Sequence, residues 1–177
     1  MKWMVIPVLD VIKNRRSCRN FNSLPVEDEK INEIISAGLH APSGMGRQTP
    51  VIVVIKDKGL RDKLAALNAF VWGREGFDPF YGAPVIILVM ANKNGLSVHD
   101  GAATIENMLL EATNQGLSTC WIHRAFEEVN SQAGKELLSF TNLNLDDYIG
   151  IGHIALGYSD QTSYPEKVIK EQRVFIK

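Results

Sequence analysis

Cysteine is scarce in this chain of 177 residues: Cys18 and Cys120 are the whole complement. Two such distant thiols give neither a disulfide framework nor a CxxC metal or redox pair, and they fit a reducing, cytoplasmic compartment. Long apolar runs are lacking as well. The run at 84–91 is far too short to span a bilayer. The apolar start Met1-Lys2-Trp3-Met4-Val5-Ile6-Pro7 is followed by Asp10 and Lys13, with no small-residue cleavage site, so it does not read as a signal peptide. An excess of one charge is missing too. Lys and Arg number 19 against 20 Asp and Glu, a net charge of -1, which gives no reason to expect a nucleic-acid or acidic-membrane partner. No repeat, low-complexity stretch or linker interrupts the chain, so 1–177 reads as one domain, long enough to bury a core without disulfides. With 45% hydrophobic and 22% charged residues, disorder is excluded.

Signatures of protein-borne catalysis are equally thin. His40, His99, His123 and His153 are scattered without metal-ligand spacing. His99-Asp100 reads as the N-terminal cap region of a helix. Ser43 lacks the G-x-S-x-G elbow of a serine hydrolase. Gly44-x-Gly46 has no third glycine and precedes a strand, while Gly150-x-Gly152 lies within one, so neither is a dinucleotide fingerprint. No nucleophile, acid–base pair or metal set emerges, and no catalytic residue is named. Such a chain suits a cofactor that carries the hard chemistry.

What is present begins with Arg15-Arg16-Ser17-Cys18-Arg19-Asn20-Phe21, three arginines within five residues of a near-neutral chain. Guanidinium groups bind phosphate through paired, charge-assisted hydrogen bonds, and a hydroxyl or turn amide completes the set. The same cluster also suits the C-terminus of a helix, where cations are favourable. Both readings stand at this point.

The hydrophobic periodicity predicts a helix over 5–14 with Val5, Val8, Leu9 and Ile12 inward. Pro25 opens a second helix, with Glu27, Asp28 and Glu29 in its first turn and Ile31, Ile34, Ile35 and Leu39 buried. A breaker-rich loop over 41–50 leads into a buried strand at 51–55. A short helix over 60–68 precedes an irregular aromatic stretch, 70–81, read as a lid or wall. A strand at 84–91 comes before the longest helix, 98–115. That helix carries Val98, Ala102, Ile105, Leu109 and Ala112 on one face, widened by Gly101, Met108 and Leu110, and Gly116 ends it. A strand at 117–122, a helix at 127–140, a strand at 149–157 and a candidate last strand at 173–176 complete the chain. The irregular alternation predicts an α+β fold, a mixed central sheet flanked by helices.

Taken in order, the motifs resemble the FMN-dependent nitroreductase family. They are Arg15-Arg16-Ser17-x-Arg19-x-Phe21, Ala41-Pro42-Ser43-Gly44-Met45-x-Arg47-Gln48, Gly82-Ala83-Pro84, Gly116-Leu117-Ser118-Thr119-Cys120-Trp121-Ile122 and Gly152-x-x-x-Leu156-Gly157-Tyr158. The resemblance covers the whole chain and implies a three-layer sandwich that binds FMN as a cytoplasmic homodimer. It further implies that NAD(P)H reduces the flavin, which then reduces a nitroaromatic, quinone or similar small acceptor by ping-pong kinetics. A flavin-storage or flavin-sensing protein of the same fold is the alternative. By the same match Arg15, Arg16 and Ser17 hold the phosphate and ribityl chain, and Arg19 lies near the pyrimidine edge. Pro42, Ser43, Gly44, Met45, Gly46 and Gln48 belong to a loop that reaches the partner's flavin. Trp121, Ile122, His123 and Arg124 lie against one ring face and offer a backbone N–H to N5. Lys170 and Arg173 return to the phosphate. Three departures stand out: Gly46 where many relatives have asparagine, His123-Arg124 where some have Glu-Gly, and Ile169 at a position basic in many relatives.

Overall fold

The computed structural model describes residues 7–93, 95–161 and 163–177. Its two central strands come from the most apolar parts of the chain. In β2 (Val85–Asn92) every residue but the last is buried. It pairs antiparallel with β4 (Tyr148–Gly157). β1 (Pro50–Ile55) flanks β2 and β3 (Ser118–Ile122) flanks β4, giving the order β1-β2-β4-β3. All three pairings are antiparallel. Among the described residues, the parallel component expected of a mixed sheet is a single bridge, Ser17 to Thr119, through which the N-terminal segment lies along β3.

Side chains alternate across the sheet as its period of two requires. Ile86, Leu88 and Met90 enter one core, which lies under α3 (Lys58–Trp72), α5 (Ala125–Asn130) and α6 (Gln132–Leu137). Val85, Ile87 and Val89 enter the other, under α2 (Asp28–Leu39) and α4 (Ser97–Asn114). Burying each such side chain contributes roughly 1.5–3 kcal/mol. The α+β three-layer sandwich therefore follows from two apolar strands covered on both faces.

Several local expectations are corrected. In α1 (Val8–Asn14) only Val11 is buried, while Val8, Leu9 and Ile12 are exposed. This helix lies outside the sandwich with α4 as its main packing partner, and Val11 is the residue it buries. Val5 lies outside the described residues. α2 starts at Asp28 and not at Pro25, because Val26 must first enter the core in extended chain. Its inner face runs Ile31, Ile34, Gly38, which turns Leu39 to solvent. β1 is an edge strand with only Val53 and Ile55 buried. α3 extends through Trp72 and stops at Gly73, whose φ of 70° is left-handed. The single helix expected over 127–140 is two: Ser131 breaks it by accepting the Gly134 N–H and capping α6. In α4, Val98 is exposed and Asp100 is buried, and Asp100 does not cap the helix. Residues 173–176 form no strand.

Candidate functional site

The exit of β3 opens into a cleft. Cys120, Trp121, Ile122, His123 and Arg124 line one side, Arg19 another, and Trp72, Pro79 and Tyr81 form the wall. Its volume is about 160 Å³, below the roughly 300–1,000 Å³ usual for small-molecule sites.

The wall is the aromatic stretch, held from beneath. Arg61, nearly buried, donates from Nε to the Ala83 carbonyl (3.1 Å) and from its other end to Asp78 (2.5 Å). Asp78 in turn accepts the Phe80 and Gly82 N–H groups at 3.0 and 2.7 Å. These bonds tie down the turns that present Tyr81. Phe77 meets both Trp72 and Tyr81 edge-on, at 5.6 and 5.7 Å between centroids. The Arg124 and Arg74 guanidiniums lie 4.1 and 4.6 Å from the Trp72 ring centre, a cation–π arrangement.

The arginine segment reaches this cleft through the bridge between Ser17 and Thr119, with the Cys18 N–H donating to the Thr119 carbonyl at 2.8 Å. Beside the bridge, the buried Thr119 hydroxyl has no partner among the described residues. Among the described residues no carboxylate lies within ion-pair distance of Arg19. Arg15 lies 3.9 Å from Glu106 of α4. Arg16 folds back onto the Lys13 and Arg15 carbonyls, the helix-closing role the sequence also allowed. Burial pushes the Cys120 thiol up, against the opposing pull of Arg19.

The other sequence-derived residues lie apart. The 42–48 loop is anchored at the start of α4, where Asp100 accepts the Gly44 N–H at 2.9 Å and the Thr49 hydroxyl at 3.5 Å. Ser43 Oγ accepts the Gln48 N–H at 2.9 Å. Met45, Gly46 and Gln48 all have positive φ, and the Met45 side chain is exposed. None of Pro42, Ser43, Gly44, Met45, Gly46 or Gln48 lines the cleft of its own chain. Lys170 and Arg173 are exposed on the irregular tail, away from the cleft lining. Near the start of the tail, burial pushes the Tyr164 hydroxyl up, and the neighbouring Cys18 thiol adds to the shift.

Sequence reasoning missed the polar groups beneath the cleft: Asn68, Glu128 and His153, all essentially buried. A signal existed for the first. Asn68 falls on the buried stripe Leu64, Ala65, Asn68, Ala69, where an amide needs a partner.

The residues that gather here fit a flavin in three respects: an unpaired guanidinium, flat aromatic walls and an open strand end. Arg16 fits only after leaving its carbonyls. The nitroreductase family profile matches residues 12–158. A nitroreductase with bound FMN from Bacteroides fragilis superposes with a TM-score of 0.88 at 25% identity, over 98% of this chain and 100% of that one. An NADH dehydrogenase of Thermus thermophilus is 28% identical over 92% of this chain and 78% of its own length. The FMN reductase (NAD(P)H) of Bacillus subtilis is 24% identical over 96% and 74%. With its sandwich, its cleft and a profile match over most of its length, the chain belongs to the nitroreductase family.

Proposed function

We propose that the protein, with 1–177 as one flavin-binding domain, is a cytoplasmic, homodimeric FMN oxidoreductase that uses NAD(P)H to reduce a nitroaromatic, quinone or similar small acceptor. The observation that carries this reading is the convergence of Arg19, Trp121, Ile122, His123 and Arg124 on one aromatic-walled cleft. When bound, FMN would supply the redox chemistry, the route by way of N5 for hydride from NAD(P)H to the acceptor. The chain binds, orients and excludes water. Arg15, Arg16 and Ser17 hold the phosphate and ribityl chain, with Lys170 and Arg173 joining them from the tail. Arg19 favours negative charge at the pyrimidine edge. Trp121, Ile122, His123 and Arg124 support one ring face. A single cleft used by donor and acceptor in turn gives ping-pong kinetics.

The dimer is supported by what one chain leaves uncovered. The cleft is too small alone, and Val8, Leu9, Leu39, Val98, Phe175 and Ile176 are exposed. A second copy would cover such residues, and its 42–48 loop would bring Pro42, Ser43, Gly44, Met45, Gly46 and Gln48 to the flavin. Sedimentation should give a dimer. A monomer with full FMN binding and turnover rules this arrangement out.

The purified protein should be yellow, release FMN on denaturation, bleach with NADH or NADPH, and recolour with a quinone. A chain refolded with excess FMN that shows no flavin absorbance after desalting refutes the reading. Stable colour without bleaching leaves a flavin-storage or flavin-sensing protein instead.

Gly46→Asn tests the loop. Gly46 has φ of 64°, a region asparagine tolerates, and nothing lies within 4 Å of a Cβ built there. The new amide adds a hydrogen bond to the partner's flavin, contributing about 0.5–1.5 kcal/mol, so the FMN Kd should fall roughly two- to tenfold. If only the KM for bulky acceptors rises, glycine is there to admit them.

A further inference from the structure

Beneath the cleft, three buried polar side chains from three elements form a relay that ends on one peptide group. Asn68 of α3 donates from Nδ2 to the His123 carbonyl at 2.9 Å and, with the same nitrogen, to Glu128 Oε1. Glu128 is on α5, and its Oε2 lies 3.1 Å from His153 Nε2 on β4, close but off the line of an ideal hydrogen bond. Asn68 and His153 are fully buried and Glu128 is 1% exposed, in a core otherwise lined by Phe80, Ile122, Val129 and Leu138. A polar cluster is costly in such a place unless its geometry serves something.

Its geometry serves the peptide between His123 and Arg124. Because both acceptors face Nδ2, the Asn68 amide cannot be reversed without setting oxygen against oxygen. The amide therefore holds the His123 carbonyl inward. The peptide is trans, so its N–H points the opposite way, out of the core. Among the described residues the Arg124 N–H has no acceptor. Arg124 itself sits at φ 75°, an unfavourable conformation for a residue with a side chain. Such strain persists only where surrounding structure over-determines it.

We infer that Asn68, backed by Glu128 and His153, is a positioning residue. It locks the 123–124 peptide so that the Arg124 N–H is presented to the flavin ring in the cleft. The inference rests on the proposed FMN site and adds the device that orients its backbone donor. Oxidised N5 accepts a hydrogen bond, whereas reduced N5 carries a proton, so this N–H favours the oxidised ring. Releasing the peptide should weaken binding of oxidised FMN more than reduced FMN.

The test compares Asn68→Leu, Glu128→Gln and, as a control in the same core, Leu138→Ala. For each, the FMN Kd, the midpoint potential of bound FMN and the melting temperature of the apoprotein are measured. Asn68→Leu should change the ratio of oxidised to reduced FMN affinity about two- to tenfold. That is an upward shift of up to about 30 mV, at about 30 mV per tenfold for two electrons. Glu128→Gln should move it the same way by less. Leu138→Ala should lower the melting temperature without moving the potential. A folded Asn68→Leu protein with an unchanged potential overturns the inference. If that variant does not fold, an unchanged potential in Glu128→Gln does so. Wild-type protein that binds no FMN refutes the underlying site instead, a result none of the variants can mimic.

Discussion

Gly150→Ala should remove a large share of the protein's stability. A Cβ built at Gly150 falls inside the contact distance of the Ala125 carbonyl and its side chain. Neither neighbour can yield cheaply. Ala125 is fully buried and opens α5, and Gly150 lies in β4 opposite Met90, beside a register shift between Val89 and Met90. The substitution must push α5 off the sheet, opening the core around Ile122 and Val129. Overpacking alone costs about 1–3 kcal/mol. A clash of backbone against backbone belongs in the rarer class above about 4–5 kcal/mol, against a total stability of about 5–15 kcal/mol. Urea unfolding should show a loss of at least about 4 kcal/mol. A midpoint within experimental error of wild type would mean that α5 does not rest on β4 at this residue. Because α5 follows directly on Arg124, any fraction that still folds should also bind FMN poorly.

Arg15→Ala and Arg16→Ala should each raise the FMN Kd about 10- to 100-fold. Hydrogen bonds to a charged phosphate contribute roughly 1.5–3 kcal/mol each, and 1.4 kcal/mol is a factor of ten. The two variants should differ in stability. Arg15 has only a 3.9 Å contact with the half-exposed Glu106, a kind of pair that contributes about 0–1 kcal/mol. Its loss should not move apoprotein unfolding. Arg16 donates to two carbonyls at the end of α1, so its removal should also destabilise the apoprotein, by about 0.5–1.5 kcal/mol. Equilibrium dialysis with FMN beside denaturant unfolding of the apoprotein separates the two roles. If Arg16→Ala lowers stability and leaves the FMN Kd unchanged, Arg16 does no more than close the helix. If Arg15→Ala also leaves the Kd unchanged, the segment is not the phosphate seat.

The sequence by itself determined what depends on near neighbours along the chain. The β-branched run of β2, the breakers around 41–50, Gly116 after α4 and the order of the motifs placed four strands, the long helix and the family, because periodicity and turn chemistry act over a few residues. It also pointed to Arg19 and to the strand end at Trp121, Ile122, His123 and Arg124, which the fold brings to one cleft. Tertiary structure alone decided which faces are covered. Val8, Leu9 and Ile12 have a sound helical pattern and still face solvent, since α1 packs chiefly on α4. Asp100 looked like a helix cap and instead holds the Gly44 amide from across the fold. The joining of Asn68, Glu128 and His153 beneath the His123 carbonyl was invisible beforehand. Those residues come from three elements, and a buried hydrogen bond is specified only when packing brings its donor and acceptor together and removes the water that would otherwise satisfy both.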